Sequence, residues 1–322
     1  MKRLVLATFV SVGLVGAAQA GGLEDAKRGF AAAQKGAYEE ALYFSSLAIT
    51  SGELSAQSLA IAHNNRGFAY DQLGMPDRAI REYGAAVRVD PDFAVAYNNR
   101  GYAYNDIGLY SQAIADFSEA ILLKPDYADA FNNRGIARAQ LGDLPAAVED
   151  YTKAIALKPN LYQAYNNRGY ARFNLGEFEA AARDLDVIVR LAPNNLFTVI
   201  WHHLAVQRSG GDGQAALAKY TSDADLEAWP GALVELFLGK QSPEEVIAAA
   251  AHGDPMRQRE RDCELHFYLG QYYLMNGDTD KAADQFRLSL ETGLADFTEF
   301  AGAKAELDRL APRQASAAPL SE

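Results

Sequence analysis

The sequence predicts an all-α solenoid of antiparallel helix pairs, and three observations carry that prediction. The phrase Asn-Asn-Arg-Gly occurs at 64–67, 98–101, 132–135 and 166–169, so that Gly67, Gly101, Gly135 and Gly169 step by 34 residues. Each copy is followed at constant distances by the same residue types: Gly74, Gly108, Gly142 and Gly176, then Ala79, Ala113, Ala147 and Ala181. Pro91, Pro125, Pro159 and Pro193 close the copies, and proline ends a helix because it lacks an amide donor and clashes with the preceding turn. A fixed period of this kind marks units that bury their apolar faces only against their neighbours.

Taken in order, the elements begin with a leader. Met1-Lys2-Arg3, a largely apolar run from Leu4 to Ala18 and the small-x-small site Ala18-Gln19-Ala20 fit a secretory signal peptide over residues 1–20, cleaved after Ala20. The run is too short and too weakly apolar for a membrane span, though retention as an uncleaved anchor is the alternative. Residues 24–57 carry Gly29, Gly36, Ala41 and Ala48 in register but lack the proline. They stand 38 residues ahead of the next unit by the glycines (29 to 67), against 34 elsewhere, a degenerate first repeat. The four regular units fill 60–195. Within them glycine lets two helices approach closely, while Tyr83, Phe117, Tyr151 and Leu185 fill the remaining space. Pro76 and Pro145 suit the first turn of a helix.

Beyond the regular units, residues 196–221 keep Gly210 and Ala215 but place His203 where the others have glycine, a second degenerate repeat. Residues 223–262 read as an insert of two short helices, 230–240 and 243–252. The second sits behind Ser242 with Glu245 three residues on, a capping-box spacing. The repeat pattern returns over 263–296 through Gly270, Gly277, Ala282 and Phe286. A helix near 297–310 is expected to cap the stack, polar side outward, completing a segment 263–310. The tail, 311–322, has nothing to bury and is predicted to be disordered.

The 34-residue period is that of the tetratricopeptide repeat (TPR). The chain further resembles the NlpI-type periplasmic adaptor family, through Ala228-Trp229, Leu233-Val234-Glu235-Leu236-Phe237-Leu238-Gly239 and Phe267-Tyr268-Leu269-Gly270-Gln271-Tyr272-Tyr273-Leu274. That resemblance implies an adaptor for cell-wall hydrolases or for a processing protease. The chain departs from it in having no lipidation cysteine after the leader.

In tetratricopeptide arrays the first helix of each unit lines the concave face. The expected groove contains Asn65, Asn99, Asn133 and Asn167 with Asn98, Asn132 and Asn166, flanked by Phe68, Tyr102 and Tyr170. An asparagine amide both donates and accepts, so a ladder of them could hold an extended peptide backbone. The competing reading is that the amides only fix helix packing. Asp71, Asp106 and Asp129 add negative charge and argue against an acidic client, whereas Arg66, Arg100, Arg134 and Arg168 fall on another side and are expected to snorkel or to pair with acidic neighbours.

Thirty basic against 42 acidic residues give a net charge of −12, and −14 once Lys2 and Arg3 leave with the leader. This disfavours nucleic acid and anionic membranes as partners. Neither metal nor cofactor is expected: His202 and His203 are adjacent and project about a hundred degrees apart, and His63, His252 and His266 have no ligand spacing. Cys263, the one cysteine, reads as a buried structural thiol. With no nucleophile elbow and no phosphate loop, an enzyme is not expected. The sequence points to a periplasmic protein-interaction scaffold. The alternative is a self-associating envelope protein, a homodimer through the apolar stripe Ala41, Leu42, Tyr43, Phe44, Leu47 and Ala48.

Overall fold

The computed structural model describes residues 20–311, so the leader expected over 1–20 and the tail expected over 311–322 lie outside the described residues except for Ala20 and Ala311. The described residues are helical throughout, with no strand. They divide into two compact units, up to Leu161 and from Tyr162 onward.

The first unit holds four helix pairs: α1 (Ala20–Gln34) with α2 (Tyr38–Thr50), α3 (Ala56–Gln72) with α4 (Pro76–Val89), α5 (Ala94–Asp106) with α6 (Tyr110–Leu123), and α7 (Ala128–Gln140) with α8 (Leu144–Leu157). The connections within a pair are short enough to force antiparallel packing. Gly74, Gly108 and Gly142 make the turn at φ of 72°, 77° and 84°, in the left-handed region where a Cβ is costly. Second helices α4, α6 and α8 end two residues before Pro91, Pro125 and Pro159, and Pro76 and Pro145 stand in first turns as expected. The four extra residues ahead of the second pair add one turn to the start of α3, whose N-cap Ser55 accepts from the Ser58 amide.

Close approach inside each pair is visible at the repeating glycines. A Cβ on Gly67 would stand 2.8 Å from Tyr83, on Gly101 2.9 Å from Phe117, and on Gly135 2.6 Å from Tyr151. Those rings are fully or almost fully buried.

The second unit starts with α9 (Tyr162–Leu175) and α10 (Phe178–Leu191), where Gly169 meets Leu185 in the same way. Next come α11 (Leu196–Arg208) and the short α12 (Gly213–Thr221), then α13 (Gly231–Phe237) and α14 (Pro243–Ala249). The long α15 (Pro255–Met275) pairs with α16 (Thr279–Glu291), and α17 (Thr298–Leu310) follows. Ser242 and Glu245 form the capping box. The boundary expected between 262 and 263 falls inside α15, because Pro255 behind the Asp254 N-cap starts the helix two turns earlier. In the second degenerate repeat His203 takes the position of glycine, and the partner helix compensates with Gly213, where a Cβ would lie 2.9 Å from the imidazole. The core of this unit is one cluster in which Trp201 stacks on Phe267 at 4.8 Å and meets Phe173 edge-on at 4.9 Å.

The last helix departs from the expectation of a simple end cap. Its face Glu299, Gly302, Ala303 and Glu306 is buried, and it lies against α9, α11 and α15 as well as α16.

Candidate functional site

The sequence places a peptide-binding ladder on the first helices, and the structure puts those amides in the interior. Asn64, Asn65, Asn98 and Asn99 are 0–1 % exposed, and Asn132 and Asn133 are buried as well. In the first unit they bond to one another in one direction. Asn132 Nδ2 donates to Asn133 Oδ1 at 3.4 Å, Asn133 to Asn98 at 3.2 Å, and Asn98 to Asn99 at 3.4 Å. Asn99 then donates to Asn64 at 3.0 Å and Asn64 to Asn65 at 3.3 Å. Six side chains from α3, α5 and α7 thus form a head-to-tail chain, and each link polarises the next in a low-dielectric interior. Buried amides satisfied in this way are not presented to an external peptide, which corrects the assignment of Asn65, Asn98, Asn99, Asn132 and Asn133 to a groove surface.

In the second unit Asn166 and Asn167 are partly buried on α9. Tyr170, one turn on, packs its ring 5.0 Å from Trp201 with its hydroxyl 3.4 Å from Thr198 Oγ1, and burial pushes its phenol up to about 12. It belongs to the core of that unit.

Of the two expectations for the arginine of each motif, snorkelling or pairing with an acidic neighbour, the structure shows pairing, with a carboxylate 16 residues on. Arg100, Arg134 and Arg168 each make two parallel bonds of 2.7–2.9 Å to Asp116, Asp150 and Asp184, and Arg66 bonds Glu82 at 2.8 Å. Such forked pairs fix the angle between the two helices of a repeat. Asp150 also takes Arg138 at 2.9 Å, and Asp184 takes Arg172 at 2.7 Å.

What remains open on the first-helix face of the first unit are the positions that change from repeat to repeat. Phe68 and Tyr102 are partly exposed; the Phe68 ring lies 6.2 Å from that of Tyr38. Ile136 occupies the equivalent place one period further and is also partly exposed. Asn105, one turn beyond Tyr102, buries its side-chain oxygen without a hydrogen-bond partner. Asp106 is exposed, whereas Asp71 is buried and Asp129 is paired with Lys158 at 3.4 Å. Asn105 was not singled out by sequence reasoning. Its signal was the variability of its repeat position, Asp71, Asn105 and Ala139, against the invariant asparagines.

Two carboxylates of the second unit are strongly perturbed. Glu264 accepts from Trp229 Nε1 at 2.6 Å, and burial raises its carboxyl to about 7. Glu299, also raised by burial, accepts from Trp201 Nε1 at 3.2 Å and from the Tyr268 hydroxyl at 2.8 Å. His203, buried against Phe237 at 5.0 Å, is held below its usual range by burial and is neutral. It borders a cleft of about 550 Å³ with Gln207, Gln214, Tyr272 and Asn276. Burial likewise raises the Cys263 thiol, which lies 3.6 Å from Ser289 Oγ. Among the described residues no group of three His, Cys, Asp or Glu stands in a metal-holding arrangement, and no helix is long and apolar enough to cross a membrane.

Comparison with known protein families gives matches to repeat models. Residues 60–93 and 162–195 match models described as tetratricopeptide repeat, and residues 101–142 and 137–176 match one described as TPR repeat. Among solved structures, the chain is similar to pilF of Pseudomonas aeruginosa, at 19 % identity and a TM-score of 0.58, over 70 % of this chain and all of that one. It is also similar to a tetratricopeptide repeat protein of Parabacteroides merdae, at 15 % identity and a TM-score of 0.52, over 88 % of this chain and 98 % of the other. At these identities the likeness is one of fold.

Proposed function

We propose that this chain, a tetratricopeptide-repeat protein, is a periplasmic adaptor that docks other proteins on the first-helix face of its first unit. The observation that carries the reading is the division of labour on that face. Invariant asparagines are consumed in a buried chain that makes the array rigid, and variable aromatic and polar positions, Phe68, Tyr102, Asn105 and Ile136, stand above it. A rigid row of apolar side chains one repeat apart suits an extended segment with apolar side chains. The exposed Asp106 favours neutral or basic clients over acidic ones.

The periplasmic location follows from the leader pattern, and the client class, cell-wall hydrolases or a processing protease, from the family resemblance. The test is a photocrosslinking amino acid placed at 102 or 136, with position 122 on α6 as control, since Leu122 is 71 % exposed on a second helix. Recovery of a hydrolase or protease from 102 and 136 but not 122 supports the reading; recovery from 122 alone sinks it. A mature protein beginning at Gly21 in the periplasmic fraction supports the location.

A second reading, self-association, is favoured by one observation. Tyr43 and Leu47, 60 % and 38 % exposed, stand one turn apart on α2, while Ala41, Phe44 and Ala48 of the same stripe are buried. Those two, with the half-buried Leu42 beside them, are offered to another copy. A Tyr43→Glu variant that stays folded but loses its dimer in sedimentation would favour this reading.

A further inference from the structure

We propose that the face of the second unit made by α9, α11 and α15 is a helix-binding site, filled here by the chain's own α17, and that its external occupant is a partner helix with two carboxylates seven residues apart and small residues between them. The proposal does not rest on the docking face of the first unit.

The specification is read from α17 itself. Glu299 and Glu306 are two turns apart and therefore share one face. Glu299 is met by Trp201 of α11 and Tyr268 of α15. Glu306 is met by Arg208 of α11 at 2.8 Å and Gln271 of α15 at 3.0 Å. Arg309 of α17 bonds Glu306 and reaches the Asn174 carbonyl of α9 at 2.8 Å. Between the carboxylates the helix must be thin, since a Cβ on Gly302 would come within 2.6 Å of Phe267 and 3.0 Å of Trp201. Two helices, α11 and α15, therefore present four donors and an aromatic floor, and α9 adds a carbonyl acceptor, to a helix lying across them, which is helix-in-groove recognition.

The manner of attachment makes the occupant exchangeable. Of the four residues that α17 buries, Ala303 is the apolar side chain; Phe300, Leu307 and Leu310 are half-buried. Beside these apolar contacts, the grip comes from directional bonds that another helix of the same pattern can reproduce. The connection over 292–297 is short, so a displaced α17 stays at high local concentration and competes with any partner. Occupancy of the site is thereby restricted to helices that match both carboxylates.

The test uses the full chain and a fluorescent synthetic peptide of residues 297–311. It is titrated into the parent and into a Glu299→Ala/Glu306→Ala variant, in which α17 loses both sets of bonds while every receptor residue is intact. The peptide is expected to bind the variant at least tenfold more tightly than the parent. Binding should disappear when the peptide carries the same two changes, or when Arg208→Ala is added to the receptor. Should the double variant fail to fold, Arg309→Ala loosens the same helix from α9 with Glu299 and Glu306 retained. The proposal is overturned if the folded variants leave α17 as protected from hydrogen exchange as α15 and bind no peptide at millimolar concentration. It is equally overturned if the peptide binds with its two carboxylates removed.

Discussion

Asn99 donates its side-chain amide to Asn64, 35 residues earlier, and neither is exposed to solvent. Asn99→Ala removes the donor to Asn64 and the acceptor of Asn98 at once. It is expected to destabilise the first unit by about 1–3 kcal/mol, the cost of stranding buried polar groups. Gln112→Ala, at an exposed position of α6, should stay within about 0.5 kcal/mol. Urea denaturation of the two variants checks the difference, and a cost at Asn99 no larger than at Gln112 would remove the amide chain as a structural element.

Asp150 accepts from both Arg134 and Arg138 with its side chain almost fully buried. Removing it leaves two guanidinium groups partly buried and unpaired, so Asp150→Ala should cost about 3–5 kcal/mol. Asp116→Ala, where a single arginine is left behind, should cost less. The order of the two midpoints is the measurement.

Gly135 sits where a methyl group would meet the Tyr151 ring at 2.6 Å. Gly135→Ala is expected to lower stability by about 1–3 kcal/mol through overpacking. Adding Tyr151→Leu, which copies the Gly169 and Leu185 arrangement of the next repeat, should recover part of the loss. Thermal midpoints of the single and double variants give the coupling.

Glu264, raised from 4.5 to about 7 by burial, holds its proton more tightly folded than unfolded. Its contribution is therefore full below about pH 4.5 and is lost as pH rises toward 7. Glu264→Gln keeps an acceptor for Trp229 and removes the titration. The variant should gain on the parent across that window, reaching about 3 kcal/mol at pH 8. Stability curves of both proteins at pH 4.5, 6 and 8 test it, and a difference that does not change with pH counts against the buried carboxylate.

The helix pairs were legible because turn glycines, closing prolines and the period all act locally. That the arginines lie off the groove side was legible, but the carboxylates 16 residues on that receive them were not singled out, because sequence spacing across a helix pair does not say which acidic neighbour the fork meets. The site was less so. Asn64 and Asn99 repeat without change because each must fit the next copy, and repetition inside an array marks internal packing. The position of α17 was not legible, since helical periodicity gives the buried face, Glu299 to Glu306, and not the helices that receive it. A glutamate stripe also reads as solvated surface until Trp201, Tyr268 and Arg208 are brought to it by residues about 30 to 100 positions away.

The bond from Asn99 to Asn64 obeys the same rule as the bond from Asn133 to Asn98, one period plus one residue back. A gene segment encoding one 34-residue copy could be duplicated or excised in frame and every surviving junction would still find its mate. The array can change length without redesign, and with it the reach of the surface it displays, while the variable positions on each added copy are free to diverge.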